Sequence, residues 1–225
     1  CQNNTIKGKH GFHTFPQFGV TMGFLNASSS FTRFSIVDPV PEQLWADIPD
    51  LLKKGALLDI DELPEMEAKG WTCFDDYLDT QWVTASPHKG EYLAFTLRID
   101  TRRIPAGVIR KHVTLALKKE KLANLAQGKT YISKERKKEI KEQVTLRLRQ
   151  RFLPVPAEIN VVWSIRKNEV WLASVQNKVI ELFMQLFLDT FQLHLQQLTP
   201  SALAIQLMGE GQVETIDRIE ATVFA

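Results

Sequence analysis

The chain of 225 residues is 44% hydrophobic and 24% charged, ordinary for a globular protein and long enough for one large domain or two small ones. No run approaches the roughly 18 apolar residues of a membrane span, and two cysteines without a CxxC or a His/Cys cluster exclude a disulfide scaffold and a zinc ribbon. The net charge of +2 hides a division: 17 Lys and Arg stand against 5 Asp and Glu between Arg98 and Arg151, whereas 11 stand against 21 in the rest.

Residues 1–21 hold glycines, histidines and scattered aromatics without periodicity. Met22 is therefore expected to be the natural start, with 1–21 a disordered or non-native extension. A strand is expected over Ser30 to Val37, ending at Asp38-Pro39. Pro41 suits a helix start, with Leu44, Trp45, Ile48, Leu51 and Leu52 at helical spacing and Pro49 kinking or breaking the run. Asp59 to Glu67 reads as an acidic connector, Trp71 to Phe74 as a short buried strand and Glu91 to Ile99 as a strand covered on both faces. Cys73 reads as a small core residue.

Ile104-Pro105 marks a boundary. From Pro105 to about Leu122 the pattern is an amphipathic helix whose Arg110, Lys111, Lys118 and Lys121 share an arc of roughly 100°. Gln127-Gly128 ends or interrupts it. Ser133 is a candidate N-cap for a second helix running through Phe152, with the narrow apolar stripe Ile140, Val144, Leu148 and Phe152. Lys134/Lys138, Lys137/Lys141 and Arg147/Arg151 set like charges four residues apart, each pair costing an isolated helix about 0.2–0.5 kcal/mol. A polyanion alongside would reverse that sign; a merely solvated arm would carry the same charges to no such end.

Ile159 to Ile165 and Val170 to Ala173 flank a four-residue turn and read as a hairpin. Val175 to Leu188 reads as an amphipathic helix burying Val179, Leu182, Phe183, Leu186 and Phe187. Phe191 to Gln196 alternates as a half-buried strand closed by Leu198-Thr199-Pro200, and a last strand is placed near Ala221 to Phe224. All five tryptophans sit in apolar contexts and read as core. The sum is an α+β fold of twisted antiparallel sheets with packed helices and a protruding basic two-helix arm. Its segments are 1–21 (extension), 22–103 (acidic α/β), 104–156 (basic arm) and 157–225 (hairpin, helix and strand completing the core).

The ordered series Ile104-Pro105 … Val108-Ile109, Ala116 to Glu120, Lys134 to Glu139, Val144 … Leu148, Trp163 and Leu198-Thr199-Pro200 resembles the recombination-associated protein RdgC family over most of residues 22–200. The resemblance implies a homodimeric, ring-forming protein that binds double-stranded DNA with little sequence preference and limits access of the RecA recombinase. It also implies a cytoplasmic, nucleoid-associated location. Lys118, Lys119, Lys121, Lys134, Arg136, Lys137, Lys138 and Lys141 match the family's charged arm; the chain is shorter than longer members, which bears on ring closure. With the charge pattern, the candidate DNA-binding residues are these eight together with Arg110, Lys111, Lys129, Arg147, Arg149 and Arg151. No cofactor, metal, membrane or small-molecule substrate is expected.

A catalytic site is sought as the alternative. Asp75, Asp76 and Asp79 form the one dense acidic trio, near Asp59 and Asp61, and a metal-dependent exonuclease would use such carboxylates. A solvated turn is the favoured reading. His112 and His194 read as surface or packing residues, Ser28 to Ser30 lacks a glycine elbow and no phosphate-cradling loop is present. A third reading makes the basic arm a docking module for an acidic protein partner.

Overall fold

The computed structural model describes Phe24, residues 29–209, Gly211, Val213, Glu214 and Arg218. In chain order the elements are β1 (Thr32–Ile36), α1 (Leu44–Lys54), β2 (Glu67–Cys73), β3 (His88–Lys89), β4 (Tyr92–Thr101), α2 (Ala106–Ala126) and α3 (Lys134–Arg149). They continue with β5 (Val155–Ser164), β6 (Glu169–Leu172), α4 (Asn177–Phe191), β7 (Leu195–Gln197) and α5 (Pro200–Met208). The expected α+β class is what forms, on one seven-stranded antiparallel sheet in the order β2-β4-β5-β6-β1-β7, with β3 also on β4.

β4 is the spine of the sheet. It pairs with β2 from Glu67↔Thr101 to Cys73↔Phe95 and with β5 from Tyr92↔Ser164 to Thr101↔Val155. Leu93, Ala94, Phe95, Thr96 and Leu97 are all buried, so both faces of its centre are covered, as its near-continuous apolar run predicts. Strands from either side of the basic segment thus share one sheet, and that segment is an excursion between β4 and β5.

One face of the sheet carries α1 and α4. Ile180, Phe183, Phe187 and Phe191 recur at i, i+3, i+7 and i+11 and pack against Phe34, Trp71, Phe95 and Trp163. Trp71 meets Phe95 edge-on at 5.1 Å, and Trp163 lies 5.3 Å from Phe187. Such pairs add about 0.5–1.5 kcal/mol each beyond area burial. Trp71 Nε1 donates to Thr190 Oγ1 at 2.8 Å, which satisfies the indole's polar edge.

Gly70 permits a close approach. A Cβ there would sit 2.4 Å from the Leu57 backbone nitrogen, where Leu57 N–H donates to Trp71 O and Trp71 N–H donates to Gly55 O. The acidic connector after α1 is pinned from inside. Arg102, 1% exposed, donates through Nη1 to the Leu63 and Glu65 carbonyls and through Nη2 to those of Ile60 and Asp61, at 2.6 to 3.1 Å. Arg98 is tied to Asp100 by a bidentate pair, with the Tyr77 ring 5.5 Å from its guanidinium. Two arginines of the basic run are therefore structural.

Several expectations shift. α1 runs unbroken through Pro49. Pro105 is the extended N-cap of α2 rather than its first helical residue, and α2 continues to Ala126. α3 stops at Arg149, three residues before Phe152. β2 starts at Glu67, inside the expected connector, because β4 offers it a partner as far as Thr101. Phe191 belongs to α4, not to a strand: it stands four residues beyond Phe187 and packs on Trp71 and Trp163, and Gln192 then turns the chain at φ 56°. Val179, Leu182 and Leu186, expected on the buried face of α4, are only half-buried, the fully buried line being rotated onto Ile180 and Phe191. The close at Leu198-Thr199-Pro200 stands, and α5, which the pattern does not announce, follows from Pro200 with Thr199 Oγ1 accepting from Ala202 N–H. Trp71, Trp82, Trp163 and Cys73 are core; Trp45 and Trp171 are half-buried, Trp171 lying 6.3 Å from exposed Phe31 and 6.2 Å from Tyr92. The readings for residues 1–21 and for a strand near Ala221 to Phe224 lie outside the described residues.

Candidate nucleic-acid interface

α2 and α3 pack mainly on each other and hold an apolar cluster of their own. Ile140, Val144 and Leu148, at i, i+4 and i+8, are buried against Ile104, Val108, Ile109, Val113, Ala116 and Leu117. α3 begins as its sequence predicts: Ser133 Oγ accepts from Arg136 N–H at 3.2 Å, Glu135 sits in the first turn, and Arg147 and Arg149 in the last. Those placements suit the helix dipole. α2 ends at Ala126 with Gln127 as its C-cap, after which Gly128 takes φ 73°. No residue of α2 is buried, which leaves its cations and several leucines in solvent.

The seam divides the cations. At 100° per residue, Lys134, Lys137, Lys138 and Lys141 span an arc of about 100° to one side of the seam's midline. Arg136, Arg147 and Arg151 span about 60° on the other side, where they line a groove between the helices together with His112 and Lys119. On α2, Arg110 and Lys121 lean toward the lysine-rich flank, while Lys111 and Lys118 point outward. Lys129 follows the Gly128 turn and is exposed.

Availability differs among them. Arg110, Lys111, Lys118, Lys119, Lys121, Lys129, Lys134, Lys137, Lys141, Arg147 and Arg151 are exposed, and among the described residues none has a carboxylate within 4 Å. Lys138 is 3.9 Å from Glu142, both well exposed, a pair of little strength. Arg149 is half-buried, its Nε enclosed without a hydrogen-bond partner among the described residues. Arg136 is committed: its Nε donates to Glu120 at 2.7 Å and its Nη1 to Glu139 at 3.0 Å. The hydrogen bonds from Arg136 hold the Glu120 carboxyl below the usual carboxylate range. This clip joins α3 to α2 across 16 positions of sequence, so the sequence pattern gives no signal for it. Arg103, exposed at the base of the hairpin, is a further cation that the sequence reading passed over.

The acidic trio is spent locally. Asp75 pairs with Lys89 at 2.6 Å, Asp76 accepts from Leu78 N–H, and Asp79 accepts from the Gln81 and Thr84 N–H groups. The Thr84 amide chiefly holds the Asp79 carboxyl below its ordinary range. Among the described residues no three His, Cys, Asp or Glu side chains gather as a metal site requires. His112 is half-buried on α2, and His194 is exposed with its Nδ1 2.9 Å from Asp38. Among the described residues no helix is long and apolar enough to cross a membrane. Comparison of the chain with protein-family models and with curated proteins finds no match.

Proposed function

We propose that the chain is a non-enzymatic, sequence-tolerant double-stranded DNA-binding protein that holds the duplex along the lysine-rich flank of the α2–α3 hairpin. The observation that carries this reading is that, among the described residues, Arg110, Lys121, Lys134, Lys137 and Lys141 have no carboxylate within 4 Å and Lys138 is only loosely paired. Left alone, these charges repel one another; a phosphate backbone turns each repulsion into attraction and releases condensed counterions.

The dimensions suit a duplex. α2 has 21 residues, so it is about 31 Å long, the length of about nine base pairs, and meets phosphates every few ångströms along that path. Lysine predominates on this flank and acts as a point charge without arginine's fork, which favours backbone contacts over base reading. The resemblance to the recombination-associated RdgC family points to the same partner. A homodimer in the bacterial nucleoid that limits the access of RecA to DNA belongs to this proposal.

Gel shifts with several duplexes of equal length and unrelated sequence provide the test. The expected result is the same affinity within about threefold for all of them, since no mismatch penalty of about 1–3 kcal/mol per base pair applies without base contacts. Preference for one sequence by a hundredfold, or no binding at about 50 mM salt, refutes the reading.

A further inference from the structure

No residue from Arg103 to Glu139 is buried, so the half of the hairpin toward its turn lacks a core. Packing against the sheet does not replace one. The apolar cluster of α2 and α3 shares no residue with the main core. Among the described residues, no side-chain hydrogen bond or ion pair joins Ala106–Arg149 to the sheet, α1 or α4. Toward the turn the helices are tied by the Arg136–Glu120 clip and by Asn124 Nδ2, which donates to the Tyr131 carbonyl at 3.1 Å. Leu122, Leu125 and Tyr131 are there 69%, 52% and 77% exposed.

Charge works against this sparse packing. Between Ala106 and Arg151 stand 14 Lys and Arg against 4 Glu. Within α3, Lys134/Lys138 and Lys137/Lys141 repel across one turn, and together the two pairs favour opening of the helix by about 2- to 5-fold. Helices take most of their stability from tertiary packing, and segments with little of it open independently of the core. From these observations we propose that the hairpin is a folding unit coupled to its polyanion: it opens locally in the free chain while the sheet stays closed, and a bound duplex holds it shut. This coupling rests on the DNA-binding reading and deepens it, since binding then orders the binder. Lys121 on α2 and Lys134, Lys137 and Lys141 on α3 face one flank, so phosphates along it draw the two helices together. Salt acts on such a hairpin in two opposite senses. It screens the repulsion and steadies the free hairpin, while it weakens the duplex complex. A rigid, preformed arm shows the second effect alone.

Hydrogen exchange of the whole chain is the test, read at the amides of Ile140, Val144 and Leu148. These seam residues are buried and exchange by opening rather than by surface exposure. In the free protein they are expected to exchange ahead of β4 and β5, with residues 118–133 faster still. Raising sodium chloride from about 50 to 500 mM is expected to slow the seam about 2- to 5-fold relative to β4 and β5. Lys134→Gln with Lys137→Gln and Lys141→Gln is expected to slow it by about the same factor without added salt. A mixed-sequence duplex about a hundredfold above its dissociation constant is expected to slow the seam about 100-fold and leave β4 and β5 as they are. Seam exchange as slow as that of β4 and β5 in the free protein overturns the inference, as does a seam that salt leaves unchanged or speeds up. A hairpin that binds duplex without a change at the seam overturns the coupling alone. One that opens and answers to salt but binds no duplex refutes the DNA-binding reading and the coupling together.

Discussion

Replacing Lys134, Lys137 and Lys141 together by glutamine removes three exposed charges from the lysine-rich flank while leaving the apolar seam intact. If, as proposed, these lysines with Arg110, Lys121 and Lys138 make six phosphate contacts, the logarithm of affinity falls against the logarithm of salt with a slope of about −5.4. Raising salt from about 50 to 200 mM then costs the parent protein about 10³ in duplex affinity. The variant keeps three such cations, a slope of about −2.7 and a loss of about 40-fold over the same range. Fluorescence anisotropy with a labelled duplex at four salt concentrations reads both slopes. Unfolding does not imitate this result, because the substitutions relieve the Lys134/Lys138 and Lys137/Lys141 repulsions, each worth about 0.2–0.5 kcal/mol. A control with Lys53, Lys54 and Lys167 replaced removes as much charge from outside the hairpin and is expected to leave the slope unchanged. Equal slopes for parent and flank variant refute the reasoning.

Other consequences follow from the packing. Leu148→Ala opens the small α2–α3 cluster and should cost about 2–5 kcal/mol there; hydrogen exchange should speed up in both helices while β4 and β5 keep their protection, and uniform deprotection contradicts a separate cluster. Gly70→Ala drives a Cβ into the Leu57 backbone and should lower stability by about 1–3 kcal/mol or more in a urea titration; an unchanged midpoint contradicts the close approach. Asp38 is held below the ordinary aspartate range first by the His194 backbone N–H and then by its side chain. A carboxyl so lowered contributes stability that is present above its unfolded value of 3.8 and lost as pH falls through the folded value. Asp38→Asn should therefore flatten the acid limb of a stability–pH curve below that pH, and superimposable acid limbs would contradict it.

Sequence periodicity carries furthest where one residue's neighbours decide its fate. β4, the hairpin turn after β5 and the Ser133 cap are readable because alternation, turn residues and capping chemistry are local. The error at Phe191 has the opposite origin. Its alternation with Leu193 and Leu195 imitates a strand, but burial on Trp71 and Trp163, 120 and 28 residues away on strands that only the fold brings near, keeps it helical. Arg102 shows the same limit. In sequence it is one more cation of the basic block, whereas its four carbonyl partners lie 37 to 42 positions upstream. The candidate site was legible as a charge excess and as two helices. Its division was not, because the side of the seam that each cation takes depends on how α2 meets α3. The Arg136–Glu120 clip and the groove beside it arise only from that pairing.

Lysine footprinting tests the central claim most directly. The protein is acylated with and without saturating duplex, and the modification of each lysine is read by mass spectrometry. The account predicts protection of Lys121, Lys134, Lys137 and Lys141, with Lys53, Lys54, Lys167 and Lys178 reacting as they do in the free protein. Protection of the latter four lysines instead, or a uniform change at every lysine, contradicts it.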